Sequence, residues 1–303
     1  MIASVVIGLC LLGNFAVAAD PLVLGLRGLQ VRQSLFSIIA APGEKLRIGL
    51  LPYAQVDLSL TMDGKVMGQR ADNGWLLAAP IKPGLYQLRI ARIGTDDESL
   101  LQLWVVQPIA ARQDETLNGY KVGKYPAPRA NRANYDPPAG MIEVTPDNID
   151  TRLSTHFTLR QFVCKQASGY PKYVVVQESL LLLLERLLAE VRSNNFDVET
   201  FGIISGYRTP WYNRSIGNVQ YSRHVYGDAM DIFIDADGDG RMDDLNRDGV
   251  HNMADIKLFY DMVDALKARP ENIALVGGVG RYRRNSRHGG FVHIDTRGYR
   301  ARW

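Results

Sequence analysis

Cysteine is nearly absent from this chain of 303 residues: there are two, Cys10 and Cys164. Cys10 lies inside an N-terminal apolar stretch that reads as a removable export signal. Cys164 then has no internal partner, and a disulfide-stapled fold is excluded. An excess of charge of one sign is absent too. With 35 Lys and Arg against 32 Asp and Glu, the net charge of +3 is too small to argue for nucleic acid as a partner. Beyond residue 19 no apolar run is long enough to span a bilayer, so stable membrane insertion is not expected. The first residues lack a positively charged n-region. They otherwise have the form of a secretory signal over residues 1–19, with an apolar core from Val5 to Leu12 and small residues Ala16-Val17-Ala18-Ala19 at the cleavage site. Leu9 in front of Cys10 argues against lipid acylation there. The expectation is an exported protein of the periplasm or cell envelope; its oligomeric state is not legible.

What is present is ordinary globular material, 46% hydrophobic and 22% charged, enough for two domains. Residues 20–110 alternate with period two over 29–33, 45–50, 56–60, 85–90 and 100–106, punctuated by Ala41-Pro42-Gly43, Asp63-Gly64 and Lys82-Pro83-Gly84. This predicts an all-β, immunoglobulin-like domain with Trp75 and Trp104 in its core. Residues 111–150 carry a turn signal at Asn118-Gly119, then prolines and basic residues with almost no aliphatics. They read as an extended linker able to wrap over the next domain. From 151 to 303 helical and strand patterns mix, making the whole α+β. Thr158 caps a short helix, and a leucine-rich helix over 177–192 is apolar on more than one face. Strands are expected at 200–205, 229–234 and 273–276, and a helix at 254–268. Cys164 ends a short amphipathic segment, where a buried small hydrophobe accounts for it better than a catalytic nucleophile.

Asp231 sits inside the apolar run Ala229-Met230-Asp231-Ile232-Phe233-Ile234. A carboxylate buried there stays ionised only with a hydrogen-bonded cation or a metal. His224 lies seven positions earlier. Seven residues span about 10 Å on a helix and more than about 20 Å on a strand. Neither lets both side chains touch one ion with bonds of roughly 2 Å. Only a turn between them works, and Val225-Tyr226-Gly227 can supply it. Near the C-terminus, Phe291, His293 and Asp295 share one face of a strand. Two imidazoles and one carboxylate are the composition of a catalytic zinc site. The competing account is an Asp231–arginine pair with both histidines satisfied in the core.

Three ordered motifs carry a resemblance: Ser205-Gly206-Tyr207-Arg208-Thr209-Pro210; Ser222-Arg223-His224 with Tyr226-Gly227-Asp228-Ala229-Met230-Asp231; and Val292-His293-Ile294-Asp295. They resemble the zinc D-alanyl-D-alanine carboxypeptidases and murein endopeptidases, in a superfamily shared with the hedgehog signalling domain and lysostaphin-type peptidases. The likeness covers roughly residues 150–303. It implies a zinc peptidase domain with a small antiparallel sheet flanked by helices, zinc held by His224, Asp231 and His293, and peptidoglycan as partner. It also implies a substrate-facing Arg208, whose planar fork suits a carboxylate or a developing oxyanion, and a Ser-x-His serine at Ser222. One position departs: where the dipeptidases place a catalytic Glu, three residues before the last ligand, this chain has Gly290. The subgroup with Phe-Val-His-x-Asp lacks that Glu as well. Two roles then fit Asp295, the base that activates water or the partner that orients His293. His288 is a further candidate for the base.

An acidic insert over 235–255 holds two overlapping calcium-loop frames. One uses Asp235, Asp237, Asp239 and Asp243 around Gly240. The other uses Asp244, Asn246, Asp248 and Asn252 around Gly249, with Asp255 at position twelve. So many carboxylates repel unless a divalent cation neutralises them, so structural calcium is expected. Residues 277–290 read as a glycine- and arginine-rich loop beside His293, whose Arg281, Arg283, Arg284 and Arg287 would give the cleft a positive rim. The reading is an exported zinc metallopeptidase cutting peptidoglycan stems or cross-links. Its rivals are a non-catalytic zinc-containing cell-wall binding module and a calcium-dependent structural or adhesion protein.

Overall fold

The computed structural model describes residues 22–51, 57–67, 73–109, 115–130 and 132–303. The signal expected at 1–19, together with Cys10 and Val56, lies outside them. Among the described residues no helix is long and apolar enough to cross a membrane.

Among the described residues the N-terminal part is built from two sheets. Four antiparallel strands run in the order Leu29–Val31, Leu24–Leu26, Lys45–Leu50, Gly74–Ala78. Five more run in the order Leu35–Ala40, Glu98–Val105, Gly84–Arg92, Leu58–Met62, Lys65–Val66, the first pair parallel and the rest antiparallel. Alternation decides the facing: Leu46, Ile48 and Leu50 are buried while Lys45 and Arg47 are exposed. Asp63 and Gly64, both at positive φ, close the hairpin that pairs Met62 with Lys65, as a two-residue turn of the primed kind requires. Trp75 and Trp104 are core residues, and Trp104 Nε1 donates to Ser37 Oγ at 3.2 Å. The strand Leu35–Ala40 was not expected, because its near-continuous apolar run lacks the alternation of a half-buried strand.

The stretch read as a linker has structure of its own. Asn118-Gly119 turns a hairpin between Thr116–Leu117 and Tyr120–Lys121. Gly140–Val144 lies between Gln107–Pro108 and Lys172–Val174 in a three-stranded sheet that ties the two parts of the chain together. Its tyrosines explain the order. Tyr120 packs on Tyr173, while Tyr125 and Tyr135 pack on Tyr226, in place of the missing aliphatics.

The C-terminal domain is a five-stranded sheet in the order Gly202–Ser205, Ala229–Phe233, Phe291–Asp295, Gly278–Tyr282, Ala301–Arg302, antiparallel except for the last pair. The helix Glu178–Ser193 buries Leu180 to Leu184 together with Leu187, Leu188 and Val191, so it is core nearly all round. Truncating one of these leucines to Ala should cost about 2–5 kcal/mol. A second helix, Met253–Ala268, packs on the strands Gly278–Tyr282 and Phe291–Asp295. The strand expected at 273–276 is instead the end of a 3-10 helix, Pro270–Leu275. Pro270 opens that turn, and Ile273 is 74% exposed, so its apolar residues do not form one sheet face. The neighbouring strand comes from the first part of the glycine-rich stretch. Gly277 and Gly278 lie so close to Asp295 that a Cβ on either would run into it.

Candidate metal centre

His224 sits on a 3-10 turn, Arg223–Tyr226, ended by Gly227 at φ 72°. A Cβ on Gly227 would collide with the Val175 carbonyl, so glycine is needed here for both conformation and space. This is the reversal that brings His224 back onto the start of the strand Ala229–Phe233. Asp231 occupies the middle of that strand, and its register partner on the neighbouring strand is His293. All three side chains are buried, and their ligand atoms lie within 4.8 Å of one another.

The orientation of the rings decides what they can hold. His224 Nδ1 is 2.7 Å from the Gly206 carbonyl, which only accepts, so Nδ1 carries the hydrogen. Its Nε2 lone pair then faces Asp231 Oδ1 at 3.2 Å. On the other side His293 Nε2 meets the Asp295 carboxylate at 3.0 Å and Nδ1 meets Asp231 Oδ1 at 2.8 Å. A neutral His293 donates from Nε2 and turns its Nδ1 lone pair to the same oxygen. Three acceptors converge on one point, an arrangement stable only around a cation, either a proton or a metal. Burial pushes His224 down from its ordinary range, with the charges of Arg208 and His293 adding to the effect. Burial also opposes protonation of His293, but the hydrogen bonds its ring donates to Asp231 and Asp295 override it and raise the ring to about 9. Asp231 itself resists ionisation by burial, yet the two imidazoles hold it well below the usual carboxylate range. The donor set fits zinc: two imidazoles and a carboxylate, each ring fixed from behind.

Both accounts of Asp231 prove compatible, because Arg208 takes the oxygen the histidines leave. Its Nη2 is 2.7 Å from Asp231 Oδ2, and its Nε donates to Ser205 Oγ at 2.8 Å. Arg208, Ser222 and the three ligands line one cavity of about 1110 Å³. Asp295 does not line it. Its side chain is fully buried behind His293, where it accepts from His293, from the Gly278 N–H at 2.8 Å and from the Arg297 guanidinium. His288 lines the cavity, but Nδ1 faces its neighbour's carbonyl, Gly289 O, at 2.7 Å and Nε2 faces Asn285 Nδ2 at 2.8 Å. Gly290 is buried, and a Cβ there would press into Ile256. Of the four arginines expected at the rim, only Arg287 lines the cavity, while Arg281 lies over the Tyr260 ring. Cys164 is 2% exposed and burial pushes its thiol up, which opposes a thiolate nucleophile.

Sequence reasoning missed four residues around the site. Arg297 clamps Asp295. Arg223 makes a buried pair with Asp228 at 2.6 Å, close to Tyr135 and Tyr226. Trp303 stands with its ring centre 5.3 Å from that of His293. Arg223 and Asp228 were visible only as spacers inside the motif, and nothing local marks Arg297 or Trp303.

In the acidic insert, Asp235, Asp237 and Asp239 bring carboxylate oxygens within 4.8 Å of one another. Asp243 accepts from the Ala236 N–H at 2.9 Å. Asp244, Asn246 and Asp248 accept from backbone N–H groups of their own turn. Asn252 and Asp255 form a capping box at the start of the helix, and both oxygens of the fully buried Asp255 accept backbone N–H groups. These bonds fix the helix start and the turn before it.

Residues 155–260 match the family model for Peptidase M15. Over those residues the C-terminal domain is similar to the M15 peptidases. The match takes in His224 and Asp231 and stops short of His293, which the sheet register supplies. No curated protein matches the chain. Among solved structures, fibronectin(III)-like modules of CbhA from Clostridium thermocellum match at 18% identity and TM-score 0.19, over 23% of this chain and 86% of that one. The M1 domain from titin matches at 14% identity and TM-score 0.19, over 30% of this chain and 98% of that one.

Proposed function

We propose that this chain is an exported zinc peptidase that hydrolyses peptide bonds in peptidoglycan stems or cross-links. The observation that carries it is the convergence of His224 Nε2 and His293 Nδ1 on Asp231 Oδ1, with the far nitrogen of each ring held by Gly206 and Asp295. These three side chains would hold zinc, which would supply the Lewis acidity needed to polarise a scissile carbonyl and to make a water nucleophilic near neutral pH. The chain's own residues do the rest. Arg208, fixed by Ser205 and Asp231, presents positive charge to the cavity for a substrate carboxylate or a developing oxyanion. Ser222 contributes a hydroxyl to the same wall. Asp295 is a positioning residue that keeps the proton on His293 Nε2 and so keeps Nδ1 free to ligate. Lys165, Arg208 and Arg287 on the lining suit a substrate rich in carboxylates.

The glycine at 290, where dipeptidases of this kind carry an acid, favours a second reading: a cell-wall binding module that holds zinc without turnover. Digestion of purified peptidoglycan with mass spectrometry of the products separates the two. Wild-type protein should release muropeptide fragments and His224→Ala none. Tight binding without release would establish the second reading.

A further inference from the structure

Two aromatic side chains on the cleft are left open to solvent although the fold has a core beside them. Trp303 is 44% and Tyr282 39% exposed, and both line the cavity that holds His224, Asp231 and His293. They are not loose surface residues. Trp303 Nε1 donates to Tyr282 Oη at 2.6 Å, and the Tyr282 ring stacks on Phe291 with centroids 4.8 Å apart and planes 11° apart. The Arg297 guanidinium that clamps Asp295 also lies 5.2 Å from the centre of the Trp303 ring.

The sheet register shows how the indole reaches this place. Asp231 pairs across the sheet with His293, and His293 pairs with Gly280 on the next strand. A Cβ on Gly280 would run into the Trp303 indole. The position after the two metal-ligand positions in that cross-strand row is thus vacated by glycine and filled by tryptophan. A rigid apolar surface held by a hydrogen bond and kept open at the edge of a polar cleft is the pattern of a recognition wall.

We propose that Trp303, braced by Tyr282 and seated over Gly280, is a specificity-determining wall that takes the saturated, CH-rich face of the substrate group next to the bond at the triad. That group is an aliphatic side chain of the stem or the ring of an attached sugar. The proposal rests on the peptidase reading above, and the test separates the failure of one from the failure of the other. Steady-state kinetics of zinc-loaded wild type, Trp303→Ala, Trp303→Phe and Tyr282→Phe are measured on disaccharide-bearing muropeptides and on the same peptides without sugar. Zinc content and melting temperature are the controls for folding. Trp303→Ala should raise KM roughly tenfold, equivalent to about 1.4 kcal/mol, with the loss falling on KM and not on kcat. Trp303→Phe and Tyr282→Phe, which keep a ring in place, should show smaller rises in the same direction. A rise on both substrates identifies the aliphatic side chain, and a rise confined to the sugar-bearing one identifies the saccharide ring. KM values indistinguishable from wild type in all three variants would overturn the wall. If wild type cuts neither substrate, the peptidase reading fails by itself. Calorimetric binding of the uncut muropeptide then decides the wall: weakened in Trp303→Ala it stands, unchanged or absent it falls.

Discussion

Asp295→Asn separates the two roles that the sequence leaves open for this carboxylate. The substitution changes no volume to speak of, but it replaces one acceptor oxygen with an N–H donor. Both oxygens of Asp295 already face donors: Oδ1 accepts from Gly278 N–H at 2.8 Å and from Arg297 N–H at 3.1 Å, while Oδ2 accepts from His293 Nε2 at 3.0 Å and from Arg297 Nη2. Either way the amide turns, a donor meets a donor. With its nitrogen toward His293, the ring escapes by moving its proton to Nδ1, the nitrogen that faces Asp231. Zinc affinity should therefore fall about 10- to 100-fold, the range for loss of such an orienting partner. Removing one side of a buried ion pair also costs about 3–5 kcal/mol of stability. The 16% exposure of the Arg297 side chain puts this case at the lower end of that range. Competition with a chromophoric chelator measures the affinity, thermal melting measures the stability, and peptidoglycan digestion at saturating zinc measures what remains of turnover, which should be substantial. Unchanged zinc affinity with turnover abolished at saturating metal would refute the positioning role and make Asp295 the base.

Other consequences are equally direct. Gly227→Ala forces a Cβ against the Val175 carbonyl at a left-handed φ; it should cost at least roughly 1–2 kcal/mol in chemical denaturation and weaken zinc binding through displacement of His224. Lys267 is pushed down to about 7 by burial, although the charge of Asp295 opposes this, and its amine donates to the Leu275 and Asp295 carbonyls. Because the folded value lies below the unfolded value of about 10.4, the unfolded chain holds the extra proton between those limits. The Lys267 contribution to stability therefore rises with pH there, by up to about 1.4 kcal/mol per unit. Lys267→Met should remove that rise, as urea titrations at about pH 7 and about pH 9 would show by difference from wild type. The calcium expectation for residues 235–255 is settled by melting and activity with and without EGTA at constant zinc: if both stay unchanged, it is retired.

Much of the site was legible because its parts announce themselves locally. A carboxylate in an apolar strand, a histidine seven positions before it and a glycine between them leave one workable geometry, and the turn at residues 225–227 has it. Alternation around His293 and Asp295 likewise put both on one face of a strand. The misreadings have equally specific causes. The apolar run Ile273-Ala274-Leu275-Val276 looked like a strand because hydrophobicity was counted without the helix-opening Pro270. The glycine-rich stretch after it looked like a loop because the need for bare backbone beside Asp295 and under Trp303 is invisible until those residues are placed.

Residue chemistry along the chain determined which side chains can ligate, where the chain must reverse and which segments have a face to bury. Those properties depend on neighbours a few positions away, within reach of local sterics and periodicity. Only the folded sheet decided which nitrogen of each histidine faces Asp231, that Asp295 stands behind His293 and outside the cleft, and that an indole occupies the space over Gly280. Each of these is an orientation that depends on hydrogen bonds and close contacts between residues 17 to 62 positions apart, or on register between strands. Distances of that kind are fixed by packing and pairing, and no local pattern encodes them.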